Sequence, residues 1–279
     1  MTAQAQAALL PDGRRLHLHH GPIDLIIEAE GLERDACYRA ASRRFATILE
    51  ELVAELPALR RPLDGYRFQG AVARRMARAV APFTGVFVTP MAAVAGAVAD
   101  EILAAIRAEA DPPKVHVNNG GDIAFHLGRD QSLRGIGACG AFEIRAEDRV
   151  RGIATSGWKG RSHSLGIADA VTVMARDAAR ADVAATLIAN AVDLPAHPAI
   201  RREAARDMSP DSDLRDRRVT VDVGPLAPDD IDRALDAGER AARGWREAGL
   251  LEDAALRLGG HQRALSARTE PQEGHLTHA

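Results

Sequence analysis

Residues 115–127 read VHVNNGGDIAFHL, and this stretch decides the reading of the fold. Residues 115–117 and 123–127 are short apolar runs rich in β-branched and aromatic side chains, which is strand chemistry. Between them lie Asn118, Asn119, Gly120, Gly121 and Asp122. Asn-Gly is a strong hairpin signal, because a tight turn needs positive φ at its central residues. The same rhythm continues outward. Residues 133–137, 141–144 and 150–154 are further short runs separated by turn residues, which predicts a meander of mostly antiparallel strands. Residues 171–174 add a strand, and residues 218–223 add another in which Val219, Val221 and Val223 alternate with polar positions. Upstream, residues 15–20 and 23–29 flank Gly21-Pro22 as an N-terminal hairpin.

Helical spacing surrounds this strand-rich centre. Residues 33–56 carry Phe45, Ile48, Leu49, Leu52 and Leu56 on one helical stripe, with Arg39, Arg43 and Arg44 read as a solvated face. Pro57 is expected to end that helix. Further helices are expected over residues 70–80, 91–108, 178–192 and 229–248, with a shorter one over 195–207. The order hairpin, helices, meander, strand, helix, strand, helix is not the strict alternation of a doubly wound parallel sheet. It predicts an α+β fold, with helices layered on mixed, mostly antiparallel sheets. Residues 1–258 are read as a single domain, of two interleaved subdomains at most, and the polar residues 259–279 as a flexible tail.

Composition excludes several function classes. With 279 residues, 46% hydrophobic and 27% charged, the chain has the make-up of a globular domain and not of a disordered one. A net charge of -3 is too near neutral for a dedicated DNA binder, so no nucleic-acid partner is expected. The two cysteines, Cys37 and Cys139, are too few for a disulfide framework or a four-cysteine zinc site, and they suit a reducing cytosol. The first eleven residues lack the basic start of a signal peptide, and no run is apolar enough to span a bilayer. A cytoplasmic protein with no membrane partner is expected.

Three segments carry the chemistry. The Asn118–Asp122 turn exposes backbone N–H groups that can cradle a phosphate, although taken alone a plain hairpin turn is the simpler explanation. Residues 154–163 gather Thr155, Ser156, Gly157, Trp158, Lys159, Arg161 and His163. Cations with backbone amides suit a phosphate, an indole can cover a flat ring, and His163 is the acid/base candidate of the chain. The alternative is a polar hairpin loop. Asp182 and Thr186 stand four apart on a helix, so they share a face and offer two oxygen ligands of the kind Mg²⁺ takes. A surface aspartate and an inward threonine would show the same spacing. In the helix from residue 91, Ala92, Ala93, Ala95, Gly96, Ala97 and Ala99 leave little bulk. This suits close approach of a ligand or of another backbone. His17, His19, His20 and Asp24 are explained by alternation along a half-exposed strand without any metal. Walker, Gly-x-Gly-x-x-Gly, His-Glu-x-x-His and Gly-x-Ser-x-Gly motifs are all missing from the sequence.

Four segments in this order resemble the ApbE superfamily of flavin-handling proteins. Residues 92–100 match the family's helix start at Gly96 and Asp100. Asn118-Asn119-Gly120-Gly121-Asp122 matches Asn-x-Gly-Gly-Asp/Glu, and Thr155-Ser156-Gly157 matches Thr/Ser-Ser-Gly. The strand Ala170-Val171-Thr172-Val173, followed by Ala181-Asp182-Val183-Ala184-Ala185-Thr186, matches Ser-Val-Thr-Val before Ala-Asp-Ala-x-Ala-Thr. The resemblance covers roughly residues 85–192. It implies an ApbE-like, T-fold-related architecture. It also implies Mg²⁺-dependent cleavage of FAD, with the FMN moiety attached to a threonine of an acceptor protein. Asp182 and Thr186 would then hold Mg²⁺ with a backbone carbonyl near Ala95. Asn118, Gly120, Gly121, Asp122, Thr155, Ser156, Gly157 and Gly96 would line the FAD, with His163 catalytic. Two features depart from the family: Ala95 stands where a lysine is usual, and the His-x-x-Asp-Pro-Arg-Thr-Gly segment is reduced to His163 and the residues after it. These departures point to a divergent branch and leave two other readings: a flavin- or nucleotide-binding module without transfer, and a homo-oligomeric scaffold joined through the Ala-rich helix.

Overall fold

The structure, a computed structural model, describes residues 4–266. Its elements begin with strands β1 (Gln6–Leu9), β2 (Leu16–His20) and β3 (Ile23–Ala29) and helices α1 (Arg34–Leu59) and α2 (Ala71–Val80). A 3-10 turn at Pro90–Ala93 leads into α3 (Val94–Glu109). Strands β4 (Lys114–Asn119), β5 (Asp122–Leu127), β6 (Ser132–Gly137), β7 (Gly140–Arg145), β8 (Gly152–Ser156) and β9 (Ala170–Ala175) follow. Then come α4 (Ala178–Ala191), β10 (Ile200–Ala204), α5 (Ala205–Met208), β11 (Arg218–Val223), α6 (Pro228–Glu247), β12 (Asp253–Leu258) and β13 (His261–Ala264).

Among the described residues, nine strands form one sheet in the order β1-β2-β3-β4-β5-β8-β9-β12-β13, and each neighbouring pair is antiparallel. The expected α+β class is what the structure shows. The β4–β5 hairpin turns at Gly120 and Gly121 with φ of 65° and 113°, which is why two glycines stand there. Asn118 reinforces the turn by accepting the Gly121 N–H at 2.8 Å. One sheet face is covered by the main helices, where Leu18, Leu25, Ile27, Ile48, Ile102 and Ile188 are fully buried. The β6–β7 hairpin folds over the other face and encloses a smaller core that includes Phe125, Ile144 and Met174.

Five expectations need correction. Pro57 lies inside α1, because the fully buried Leu59 and the Arg60 N–H to Leu56 O bond at 3.0 Å hold a last turn beyond it. Residues 195–207 are not a helix. Ile200–Ala204 alternates half-buried and exposed side chains and pairs with β11, leaving only the short α5. Residues 259–266 are not a tail, since a Gly259-Gly260 turn with positive φ returns the chain as β13 along β12; residues 267–279 lie outside the described residues. Residues 133–137 and 141–144, expected within the meander, leave the main sheet as the separate hairpin β6–β7, because β5 pairs with β8 instead. Arg44 is not part of a solvated face, because it bonds Glu51 at 2.8 Å and Glu101 at 2.9 Å and ties α1 to α3.

The small residues of α3 serve packing within the chain. Gly96, Ala97 and Ala99 are buried, and a Cβ on Gly96 would lie 2.2 Å from the Ala178 carbonyl oxygen of α4. Gly96 is therefore packed directly on the backbone of α4. No helix of the described residues is long and apolar enough to cross a membrane.

Candidate functional site

The first turn of α3, the Asp182–Asn190 stretch of α4, the β4–β5 turn and the loop after β8 meet along one cleft. It comprises two adjoining chambers of about 690 and about 420 Å³. The larger has an apolar wall of Pro22, Ile23, Leu49, Leu52, Val53 and Leu56 facing the polar edge formed by Asn119, Gly120, Thr155, Ser156 and Gly157. The smaller is bounded by Phe87, Thr89, His163, Leu165, Asn190 and residues 211–214. Asp122, Asp182, Thr186, Ala95, Arg60 and Arg161 line both chambers, and so mark the junction between them.

Most of the expected site residues converge here. Asp182 and Thr186 face the junction together, as the i, i+4 spacing requires. Asp122 joins them, and its Oδ1 accepts the Thr155 N–H at 3.3 Å. His163 lines the smaller chamber, on a loop held by the Leu165 N–H to Asn190 Oδ1 bond at 2.8 Å. Gly157 is glycine because the Asp169 carbonyl oxygen would lie 2.5 Å from a Cβ there.

Four expectations are not met. Gly96 does not line either chamber; it donates its N–H to Asp182 Oδ2 at 3.0 Å and so positions that carboxylate. Asn118 and Gly121 also stay outside the lining and build the turn instead. Thr155, by contrast, lines the larger chamber as expected, with its hydroxyl bonded to Thr172 Oγ1 at 2.9 Å across β8 and β9. Trp158 covers no ring in the cleft, because its Nε1 is buried away from the chambers.

Electrostatics single out the junction. Burial pushes the Asp122 carboxyl up to about 7 against the opposing Thr155 N–H. Burial also raises Asp182 well above the usual carboxylate range, and the neighbouring Asp122 charge raises it further; the Gly96 and Ala95 N–H groups oppose the rise. Two desolvated carboxyls acting on each other in this way form a natural seat for a cation. With the Thr186 hydroxyl, the donor set is all oxygen, the chemistry that Mg²⁺ prefers. The Ala95 carbonyl, expected as a further ligand, accepts the Asn119 Nδ2 hydrogen at 3.0 Å. Among the described residues, no cluster of three or more His, Cys, Asp or Glu side chains could hold a metal ion, so Thr186 and backbone or ligand oxygens would have to complete the shell. Sequence reasoning missed Arg60 and the Leu49-Leu52-Leu56 wall. The leucines carried a signal, but it was the helical periodicity of an ordinary core stripe.

A family model described as AbpE bacteria matches residues 7–264. A UPF0280 protein of Methanopyrus kandleri is 38% identical over 182 residues, covering 60% of this chain and 69% of the relative. A UPF0280 protein of Methanococcoides burtonii is 35% identical over 156 residues, covering 52% of this chain and 64% of the relative. The matches thus span about two thirds of these relatives. The apo structure of the Pseudomonas stutzeri flavinyl transferase ApbE is similar over 95% of both chains, with a TM-score of 0.42 and 12% identity.

Proposed function

Because this chain belongs to the ApbE-like family described as AbpE bacteria, and with it to the UPF0280 proteins, we propose that its cleft binds FAD and transfers the FMN moiety to a hydroxyl of an acceptor protein. One observation carries the reading: the Asp122–Asp182–Thr186 oxygen set stands where the two chambers meet. A dinucleotide has the matching form, with ring systems on either side of an anionic pyrophosphate.

The chain's residues would divide the work as follows. The wall of Leu49, Leu52 and Leu56 desolvates a flat ring, while Asn119, Gly120 and Ser156 offer polar groups along its edge. Asp122, Asp182 and Thr186 would hold Mg²⁺, which when bound would offset negative charge on the phosphoryl oxygens. The acceptor oxygen attacks the phosphorus on the FMN side. A new P–O bond forms as the bond to the AMP oxygen breaks, and AMP leaves with that electron pair. His163, lining the smaller chamber, accepts the acceptor's hydroxyl proton.

The test is AMP release from FAD in the presence of Mg²⁺, together with flavin fluorescence retained on denatured protein. Asp182→Ala should abolish both. A second reading, a flavin-binding module without transfer, is favoured by the engagement of the Ala95 carbonyl with Asn119. It prevails if the wild type binds FAD but releases no AMP. Failure to bind FAD at all removes both readings.

A further inference from the structure

Two arginines flank the acidic junction. Arg60 caps the C-terminal end of α1, and Arg161 lies in the loop between β8 and β9; both line both chambers. Arg161 Nη1 lies 3.4 Å from where a Cβ on Gly120 would stand, so its guanidinium rests over the glycine turn. The neighbouring Lys159 is directed elsewhere. It pairs with Asp169 at 2.7 Å, sits 5.5 Å from the Trp158 ring centroid and lines neither chamber. Among the described residues Arg60 makes a loose ion pair, 3.7 Å to Asp211, whose side chain is 90% exposed. An exposed pair of this kind contributes little to stability and leaves the guanidinium available to a ligand.

We propose that Arg60 and Arg161 form a two-armed clamp for a pyrophosphate diester at the junction. The clamp deepens the FAD reading and rests on it for the identity of the dinucleotide. Charge matching carries the argument. A divalent cation cancels the ionised Asp122 and Asp182, and the two guanidiniums then match the two negative charges of a pyrophosphate diester. Planar guanidinium forks also suit paired phosphate oxygens better than an ammonium does. With the cation bound, its charge adds to that of the two guanidiniums in attracting the anion. Anion and metal should therefore each strengthen binding of the other.

The experiment is calorimetric titration of inorganic pyrophosphate, with and without Mg²⁺, into the full chain and its variants. Circular dichroism would establish that each variant is folded. Arg60→Ala and Arg161→Ala should each weaken Mg²⁺-dependent pyrophosphate binding by about tenfold or more. Lys159→Ala should stay within about twofold of wild type, consistent with the small contribution of exposed ion pairs. The clamp is overturned if the wild type binds no pyrophosphate with Mg²⁺, or if either arginine variant binds as the wild type does. Titration with FAD separates the two ideas. Arginine-dependent pyrophosphate binding without FAD binding keeps the clamp and removes the FAD reading. FAD binding indifferent to both arginines keeps the FAD reading and removes the clamp.

Discussion

Gly96 on α3 and Asp182 on α4 are joined by an N–H to Oδ2 bond of 3.0 Å, and α4 receives the reciprocal contact from α3. Asp100 accepts the Ala178 and Ala179 N–H groups at 3.0 and 2.9 Å. Each helix thus places a carboxylate on N-terminal amides of the other, where helical N–H groups otherwise lack partners. The absent side chain at residue 96 is what lets the two first turns approach.

Gly96→Ala should therefore be costly. Its Cβ would lie 2.2 Å from the Ala178 carbonyl oxygen, a backbone atom that can move only with α4. Overpacking of this kind costs about 1–3 kcal/mol, and the rigid contact argues for the upper end. Urea unfolding measures it, and a loss below about 0.5 kcal/mol, the scale of a neutral surface change, would contradict the crossing.

The metal-free protein should lose stability as pH rises. Burial, with Asp177 adding to it, pushes Asp100 up to about 7, and burial pushes Asp122 up to about 7, from an ordinary 3.8 in each case. Between those values the folded chain keeps protons that the unfolded chain has released, so stability falls through the window, and Asp182, raised by its burial and by the Asp122 charge, extends the fall. Melting temperature in EDTA should decline from about pH 4 to about pH 7, and Mg²⁺ should recover more of it at the upper end. A flat or rising EDTA profile would contradict this.

Thr186→Val keeps the shape but removes a hydroxyl oxygen from the junction, so Mn²⁺ or Mg²⁺ affinity should drop by roughly fivefold to tenfold, while Thr186→Ser stays near wild type. Metal titration under conditions of equal fold content provides the comparison. Unchanged affinity in the valine variant would place the threonine outside the shell.

His163→Ala should slow AMP release by about 10²–10⁴, the usual span for general acid/base help, while FAD affinity changes little. A rate within about threefold of wild type, well below that span, would remove the histidine from the proton transfer.

The meander and the main helices were legible because turn residues and apolar periods agree along residues 115–154 and in α3, α4 and α6. The closing hairpin was not. His261–Ala264 alternates half-buried and exposed polar side chains at a sheet edge, and only pairing with β12 gives it order. Ile200–Ala204 hid its strand in the same way, with Arg201, Arg202 and Glu203 on a two-stranded ribbon. In the site, Asp182 and Thr186 could be read from helical spacing. Gly96 could not be assigned correctly, since a glycine against a ligand and a glycine against a backbone look alike in sequence. Arg60 gave no signal among the many arginines of its neighbourhood, and only the end of α1 places it at the cleft.

The exchanged caps also bear on how the site comes apart. Gly96 and Asp182 are 86 residues apart, so the oxygen set at the junction does not exist in either half of the chain alone. The amides of Gly96, Ala178 and Ala179 should exchange with solvent deuterium only through global unfolding, whereas those of the half-exposed loop around His163 open locally. Partial opening could then release a ligand held by the loop without dismantling the junction beneath it.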